Sequence, residues 1–360
     1  MTRDRRNIGI GIIGTGKIGV QRARLAALHP AVDFVAVMDA DQERAEEVGR
    51  AINADLVATS IDELVSHDRV DAIIISTAEP FHVEPACAAA NAGKPILIEK
   101  PLAMTLDDAD RIISATDNAD VEARVGYSMR YLQKYSVAWD NIKQGKLGDI
   151  VGITSRVYNS RKAGLTILQR SPEATPVIDI VTYLVDVACW YLAPQVPVEV
   201  VSRGHGRVFR ENGFDIDDVA FSMIRFSDGT VVDAGVCYML PENFPTSGQS
   251  IRFDVFGTDG ALMIDDDHRD QMMYTEHGYR NSYTEQVLNF AFLGSRTTGE
   301  WVGDTMFGRL ANETRAWIDY LVTGTDCHIT TVREARTVLA VTLAIEESLA
   351  TGEAVKIAPL

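Results

Sequence analysis

Residues 11–19, GIIGTGKIG, constrain this chain more than any other stretch, because two nucleotide-binding loops overlap there. From Gly11 the run follows the P-loop pattern GxxxxGK[ST] in all but its last position; from Gly14 it completes GxGxxG. A P-loop needs a hydroxyl after its lysine to ligate magnesium, and Ile18 has none. The GxGxxG reading needs a strand before, a helix after and an acid about 20 residues on. IGIGIIG (8–14) is a buried-strand run, and KIGVQRARLAALH (17–29) has helical spacing up to Pro30. Asp39 ends the next apolar run, FVAVMD (34–39).

In this reading Gly14 permits the tight turn, Gly16 lets the backbone approach a pyrophosphate, and Gly19 lets helix pack on strand. Thr15, Lys17 and Ile18 complete the loop, whose helix N-terminus favours phosphate charge. Lys17 serves equally as a solvated surface lysine. Asp39 would accept hydrogen bonds from ribose hydroxyls and repel a 2′-phosphate, and Ala40 beside it supplies no cation for one. The expected cofactor is therefore NAD in preference to NADP.

The alternation continues. QERAEEVGRAI reads as a helix, and Ser60 with Glu63 forms a capping box before a short one. VDAIIIST (70–77) and KPILIEK (94–100) are buried strands separated by an alanine-rich helix; Thr105 with Asp108 caps another helix, and VEARVGY (121–127) is a further strand. Strands alternating with helices imply a parallel sheet with right-handed crossovers, so residues 1–127 are expected to form a doubly wound, Rossmann-type domain.

Residues 128–360 read differently. From about residue 150, DIVGITSRVYN, PVEVVSRGHGRVF, DDVAFSMIRFSDGTVVDAGVCYM, IRFDVFG and GALMIDD are strands without long helices between them. Asp228-Gly229 and Asp259-Gly260 stand where hairpin turns belong. The expectation is an α+β domain with a large open antiparallel or mixed sheet, one embedded helix (177–192) and two late ones (301–322 and 331–351) stopped by Gly324 and Gly352.

Bulk properties narrow the partners. Thirty-four basic against 51 acidic residues give a formal charge of −17, which argues against nucleic-acid or anionic-membrane surfaces. Cys87, Cys189, Cys237 and Cys327 are scattered, with no CxxC pair, as suits reduced thiols in a cytoplasm. The N-terminus shows no signal-peptide pattern, and no apolar run reaches about 18 residues. The seven histidines show no ligand spacing, so no metal is expected.

Glu99-Lys100-Pro101, preceded by AGKPILI and followed by LAMTLDDAD, resembles a signature of the Gfo/Idh/MocA oxidoreductases. STAEPFHVEPACAAANAG and VGYSMRYLQKYSVAWDNIKQGKLGDIVG are similar to other segments of that family. The resemblance implies that Lys100 contacts both a substrate hydroxyl and the cofactor, with Glu99 beside it. It also implies that Ser76, Thr77 and His82 line the nicotinamide side. His82 serves equally as a helix-start residue, and Ala78-Glu79 departs from the family's usual Pro-Asn. Physically, Lys100 stands where ligands of doubly wound sheets bind, at a strand's carboxyl end. Pro101 keeps it away from helical angles and is a candidate for a cis bond.

The family's helical pattern D-x-G-x-H-x-x-D is matched by Asp179, Val181, Tyr183 and Asp186, with Val181 for the glycine and Tyr183 for the histidine. Thr175-Pro176 makes an N-cap and first-turn pair. Asp179, Tyr183 and Asp186 then share one helical face. Either Tyr183 takes over proton transfer, with Asp179 orienting a substrate hydroxyl or Lys100, or the chain is a redox-inert NAD-binding regulator. An NAD-dependent glycoside hydrolase is a third possibility. The expected substrate is a small polyhydroxylated molecule (a sugar, polyol or cyclitol), with Arg130, Tyr158, Arg161 and Gln169 as candidate contacts. An open sheet with one face to cover suggests a homodimer or homotetramer.

Overall fold

In the first sheet, apolar runs form strands because both of their faces are covered. The computed structural model describes residues 7–242, 244, 249–265, 272–280, 287–292, 300–302 and 305–359. Its first strands are β1 (Ile8–Ile13), β2 (Val32–Met38), β3 (Leu56–Val57), β4 (Ala72–Ile75), β5 (Ile96–Glu99) and β6 (Ala123–Gly126). They alternate with α1 (Lys17–Ala27), α2 (Gln42–Ile52), α3 (Ile61–Ser66), α4 (Val83–Asn91) and α5 (Leu106–Ala119). These strands are parallel and lie in the order β3-β2-β1-β4-β5-β6, so strand order reverses between β1 and β4. The caps hold as expected: Ser60 accepts from the Glu63 N–H and Thr105 from the Asp108 N–H, each at 3.1 Å. The Glu63 carboxylate reaches back to Thr59, one residue before the cap.

The second sheet has the mixed character the sequence suggested. After α6 (Gln133–Lys143) come β7 (Ile150–Ser160), α7 (Arg161–Arg170), and a π-turn over Val177–Val181 that runs into α8 (Thr182–Leu192). Next are β8 (Pro197–His205), α9 (Val208–Glu211), β9 (Val219–Phe226), β10 (Val231–Leu240), β11 (Gln249–Gly257) and β12 (Ala261–Asp265). Pairing is antiparallel except between β10 and β7. The Asp228-Gly229 hairpin joins β9 to β10, with Gly229 at φ +96°. Strict alternation aims Val232, Ala234, Val236 and Tyr238 at the covering helices, and Phe221 and Met223 away from them.

The late segment departs from the expected helix at 301–322. After β13 (Met272–Arg280) and β14 (Val287–Phe292), the start of that stretch forms β15 (Glu300–Val302) and β16 (Thr305–Phe307). Gly308 at φ +116° ends that run, and α10 begins only after it (Arg309–Thr323). Then follow β17 (Thr330–Thr331), α11 (Val332–Thr351) and β18 (Val355–Lys356). The chain divides into Met1–Tyr131 with Arg309–Leu339, and Leu132–Gly308 with Ala340–Leu360. A single cut at 127/128 assigns 309–339 to the other side. The physical reason for the return is coverage: Trp317 and Ile318 of α10 share one core with Ile8, Ile10 and Ile12 of β1, and β17 adds an antiparallel edge to β6. None of the four cysteines is in a disulfide, and among the described residues no helix is long and apolar enough to cross a membrane.

Candidate active site

The glycine loop closes at the reversal point between β1 and β4, and its three fingerprint glycines differ in what they leave out. Gly14 has φ +93°, and a Cβ there would fall 2.6 Å from the Ser76 carbonyl. A Cβ on Gly19 would fall 1.9 Å from the Gly14 oxygen, so α1 can sit this close only without one. Over Gly16 the space is open, and α1 starts there with no side-chain cap. A helix start of this kind suits an anion. Lys17 is exposed and Ile18 half-buried at that helix start.

Asp39 is buried, and its carboxylate ties the loop to the end of β2. Oδ2 accepts from the Thr15 N–H at 2.6 Å and from the Thr15 hydroxyl at 3.0 Å, while Oδ1 accepts from the Asp41 N–H at 3.0 Å. The sequence reading found no cation beside it at Ala40. The structure brings one from the first turn of α2, with Arg44 Nη2 2.6 Å from Oδ1. Burial pushes the Asp39 pKa up, but Arg44 and the N–H donors outweigh that and hold it below the usual carboxylate range. The acid is thus ionised, with both oxygens engaged by Thr15, Asp41 and Arg44.

The neighbouring strand ends complete the first unit's site. Ser76 follows β4 and is buried, and its hydroxyl has no hydrogen-bond partner. Thr77 is half-buried and donates to the Phe81 carbonyl at 3.1 Å. An open glycine, an uncapped helix start, an ionised acid and an orphaned hydroxyl on one rim fit a dinucleotide. His82 is fully buried. Its Nδ1 lies 2.8 Å from the Pro101 carbonyl and its Nε2 3.3 Å from that of Thr77. Its ring thus sits between the β4 turn and the turn after Lys100, and burial holds its pKa below the usual value. Lys100 is half-buried at the end of β5, and its bond to Pro101 is cis. Glu99 is held by Arg22, whose Nε and Nη2 lie 2.8 Å and 2.7 Å from Oε1.

In the second unit the π-turn and α8 are buried except at a few positions, and Asp179 and Tyr183 are two of them. A widened turn of this kind often marks a functional site. Asp186, expected on the same face, is fully buried. The Thr175 hydroxyl accepts from the Ile178 N–H at 3.2 Å and donates to Glu346 of α11. Asp179 accepts a hydrogen bond from the hydroxyl of Tyr238, a buried residue of β10. Tyr238 has room because α7 carries Gly164 there; a Cβ would lie 2.5 Å from its ring.

Of the four candidate substrate contacts, Arg130 belongs to the first unit and Tyr158, Arg161 and Gln169 to the second. Arg130 is buried in the first unit, with Nη1 3.3 Å from the His328 carbonyl and 3.4 Å from Glu334. Tyr158 falls on the sheet face opposite to Val157 and Asn159, with the Arg156 guanidinium 4.4 Å from its ring centre. Alternation thus turns it away from the Tyr238 side. Arg161 and Gln169 are exposed near the two ends of α7. Sequence reasoning missed Arg22, Arg44, Tyr238, Glu313 and Glu346. Only Arg22 left a signal, a cation on the small-residue stripe Gly19, Ala23, Ala26 of α1.

Comparison with known proteins agrees with this geometry. Residues 8–127 match the oxidoreductase family with an NAD-binding Rossmann fold, and residues 140–357 match that family's C-terminal alpha/beta domain. The chain is 26% identical over 338 residues to an inositol 2-dehydrogenase of Acidothermus cellulolyticus, covering 93% of this chain and 95% of that one. It is 27% identical over 258 residues to a 1,5-anhydro-D-fructose reductase of Ensifer adhaerens, covering 70% and 74%. A scyllo-inositol dehydrogenase from Lactobacillus casei, solved with NAD(H) and scyllo-inositol, has the same fold: TM-score 0.81, 18% identity, 98% and 100% of the two chains. With both of its parts matched in order, the chain belongs to the Gfo/Idh/MocA oxidoreductase family.

Proposed function

We propose that this protein is an NAD-dependent oxidoreductase acting on a secondary alcohol of a sugar, polyol or cyclitol. The observation that carries the proposal is the Gly14–Gly19 loop with an ionised Asp39, on the same sheet as Lys100. NAD held by Gly14, Thr15, Gly16, Asp39 and Ser76 would supply the hydride acceptor or donor. Lys100 stabilises the charge that develops on the reacting oxygen. Tyr183 carries the hydroxyl proton. An ordinary phenol has a pKa of about 10, which makes it a competent acid in ketone reduction, and a nearby ammonium tunes it toward the reverse task. Asp179, with Tyr238 on one oxygen, accepts from a neighbouring substrate hydroxyl. The inositol dehydrogenases among the relatives support a polyhydroxylated ring as substrate.

Tyr183 at the family pattern's histidine position favours a second reading, the redox-inert NAD-binding regulator. NADH formation with a panel of inositols, polyols and sugars decides between them. Net reduced cofactor supports the dehydrogenase, sugar release without it supports the glycoside hydrolase, and cofactor binding with neither supports the regulator. In the active case Tyr183→Phe lowers kcat by about 100-fold. Turnover near that of the unaltered protein would remove Tyr183 from proton transfer. A homodimer or homotetramer is part of the proposal, supported by exposed Val201, Phe221 and Met223 on the uncovered sheet face.

A further inference from the structure

Arg22 carries a charge into the fully buried interior of the first unit. Its guanidinium reaches three side chains from two distant segments. Nε and Nη2 hold Glu99 at the end of β5, Nη2 lies 2.5 Å from Glu313 Oε2, and Nη1 donates to the Thr314 hydroxyl at 2.7 Å. Glu313 and Thr314 come from α10, far along the chain. The end of β6 makes room, since a Cβ on Gly126 would fall 2.8 Å from Nη2. One cation here faces two carboxylates, of which Glu313 is wholly buried and has one oxygen without a partner. We propose that Arg22 is a positioning residue for Lys100, acting through Glu99, and that Glu313 behind it sets how completely Glu99 is neutralised.

The geometry gives the reason. Glu99 is covalently next to Lys100, so the clamp on its side chain fixes how β5 ends, and its carboxylate is the nearest charge to Lys100 along the chain. The other charged or titratable groups facing the cluster are Arg309, which lowers the Glu313 pKa, and Tyr131 and His82, which feel Glu313 and Glu99 respectively. Burial pushes Glu313 up to about 7, with Arg22 opposing it. When Glu313 is protonated, Arg22 serves Glu99 alone. When it ionises, the two carboxylates share one cation, and less of the guanidinium charge offsets Glu99.

The inference rests on the proposed role of Lys100, and its test separates the two. Lys100 acetylation by acetic anhydride, followed across pH by peptide mass spectrometry, needs no turnover. Arg22→Met is expected to raise the labelling midpoint by about 0.5 pH unit, because Glu99 then favours the ammonium. The isosteric Glu313→Gln is expected to lower it by about 0.3 unit, because Arg22 is released to Glu99. With NAD and myo-inositol, Arg22→Lys is expected to cut kcat by about 10-fold while NADH affinity stays within about twofold, since lysine keeps the charge without the fork. Opposite shifts support the clamp even if no polyol reduces NAD, in which case the proposed function fails alone. Midpoints unchanged in both variants overturn the clamp whatever the activity. If Arg22→Met does not fold, Glu313→Gln alone decides.

Discussion

The two units build their candidate sites from different material. In the first, the site is largely backbone: the loop fits its place because Gly14 and Gly19 lack side chains, and Gly16 leaves open space at the start of α1. In the second, the site is side chain: Asp179 and Tyr183 project from a buried π-turn and helix, and partners distant in sequence, Tyr238 and Glu346, hold the arrangement. At Gly14 and Gly19 a site of the first kind tolerates no added atom. One of the second kind tolerates substitution but depends on its supports, each contributing a modest, separable amount.

Three substitutions test that contrast. The largest effect belongs to Gly19→Ala. Its Cβ must displace the Gly14 carbonyl, so NADH affinity is expected to fall by about 100-fold or more, read by fluorescence titration beside circular dichroism. Retained affinity would break the claim that the loop admits no side chain. Asp39→Ala should weaken NADH by about 10-fold and move the preference toward NADPH, because Arg44 is released to meet a 2′-phosphate. An unchanged NADH-to-NADPH ratio of dissociation constants would show that Asp39 does not select the cofactor. Tyr238→Phe should leave NADH binding intact and lower kcat/KM by about 3- to 10-fold, through loss of one hydrogen bond to Asp179. Equal losses in cofactor affinity and kcat/KM would blur the distinction between the units.

Legibility followed the same division. The loop, Asp39 and the strand ending at Lys100 could be read because their chemistry lies in contiguous residues and in periodicity. His82 illustrates the limit: the sequence placed it near the nicotinamide side, while the structure spends both its ring nitrogens on the carbonyls of Thr77 and Pro101. Arg130 and Tyr158 illustrate it again. Each flanked a promising segment, but burial took one and strand alternation turned the other to the far face.

The sequence by itself determined the doubly wound domain, the glycine loop with its acid, and the open mixed sheet that follows. Each of these depends on local periodicity and on residues within a few tens of positions. Tertiary structure alone decided that residues 309–339 return to cover the first sheet, that Arg22 meets Glu99, Glu313 and Thr314, and that Tyr238 meets Asp179. Those pairings join residues that share no local pattern. They exist because a buried charge or hydroxyl must find a partner wherever the packed chain provides one.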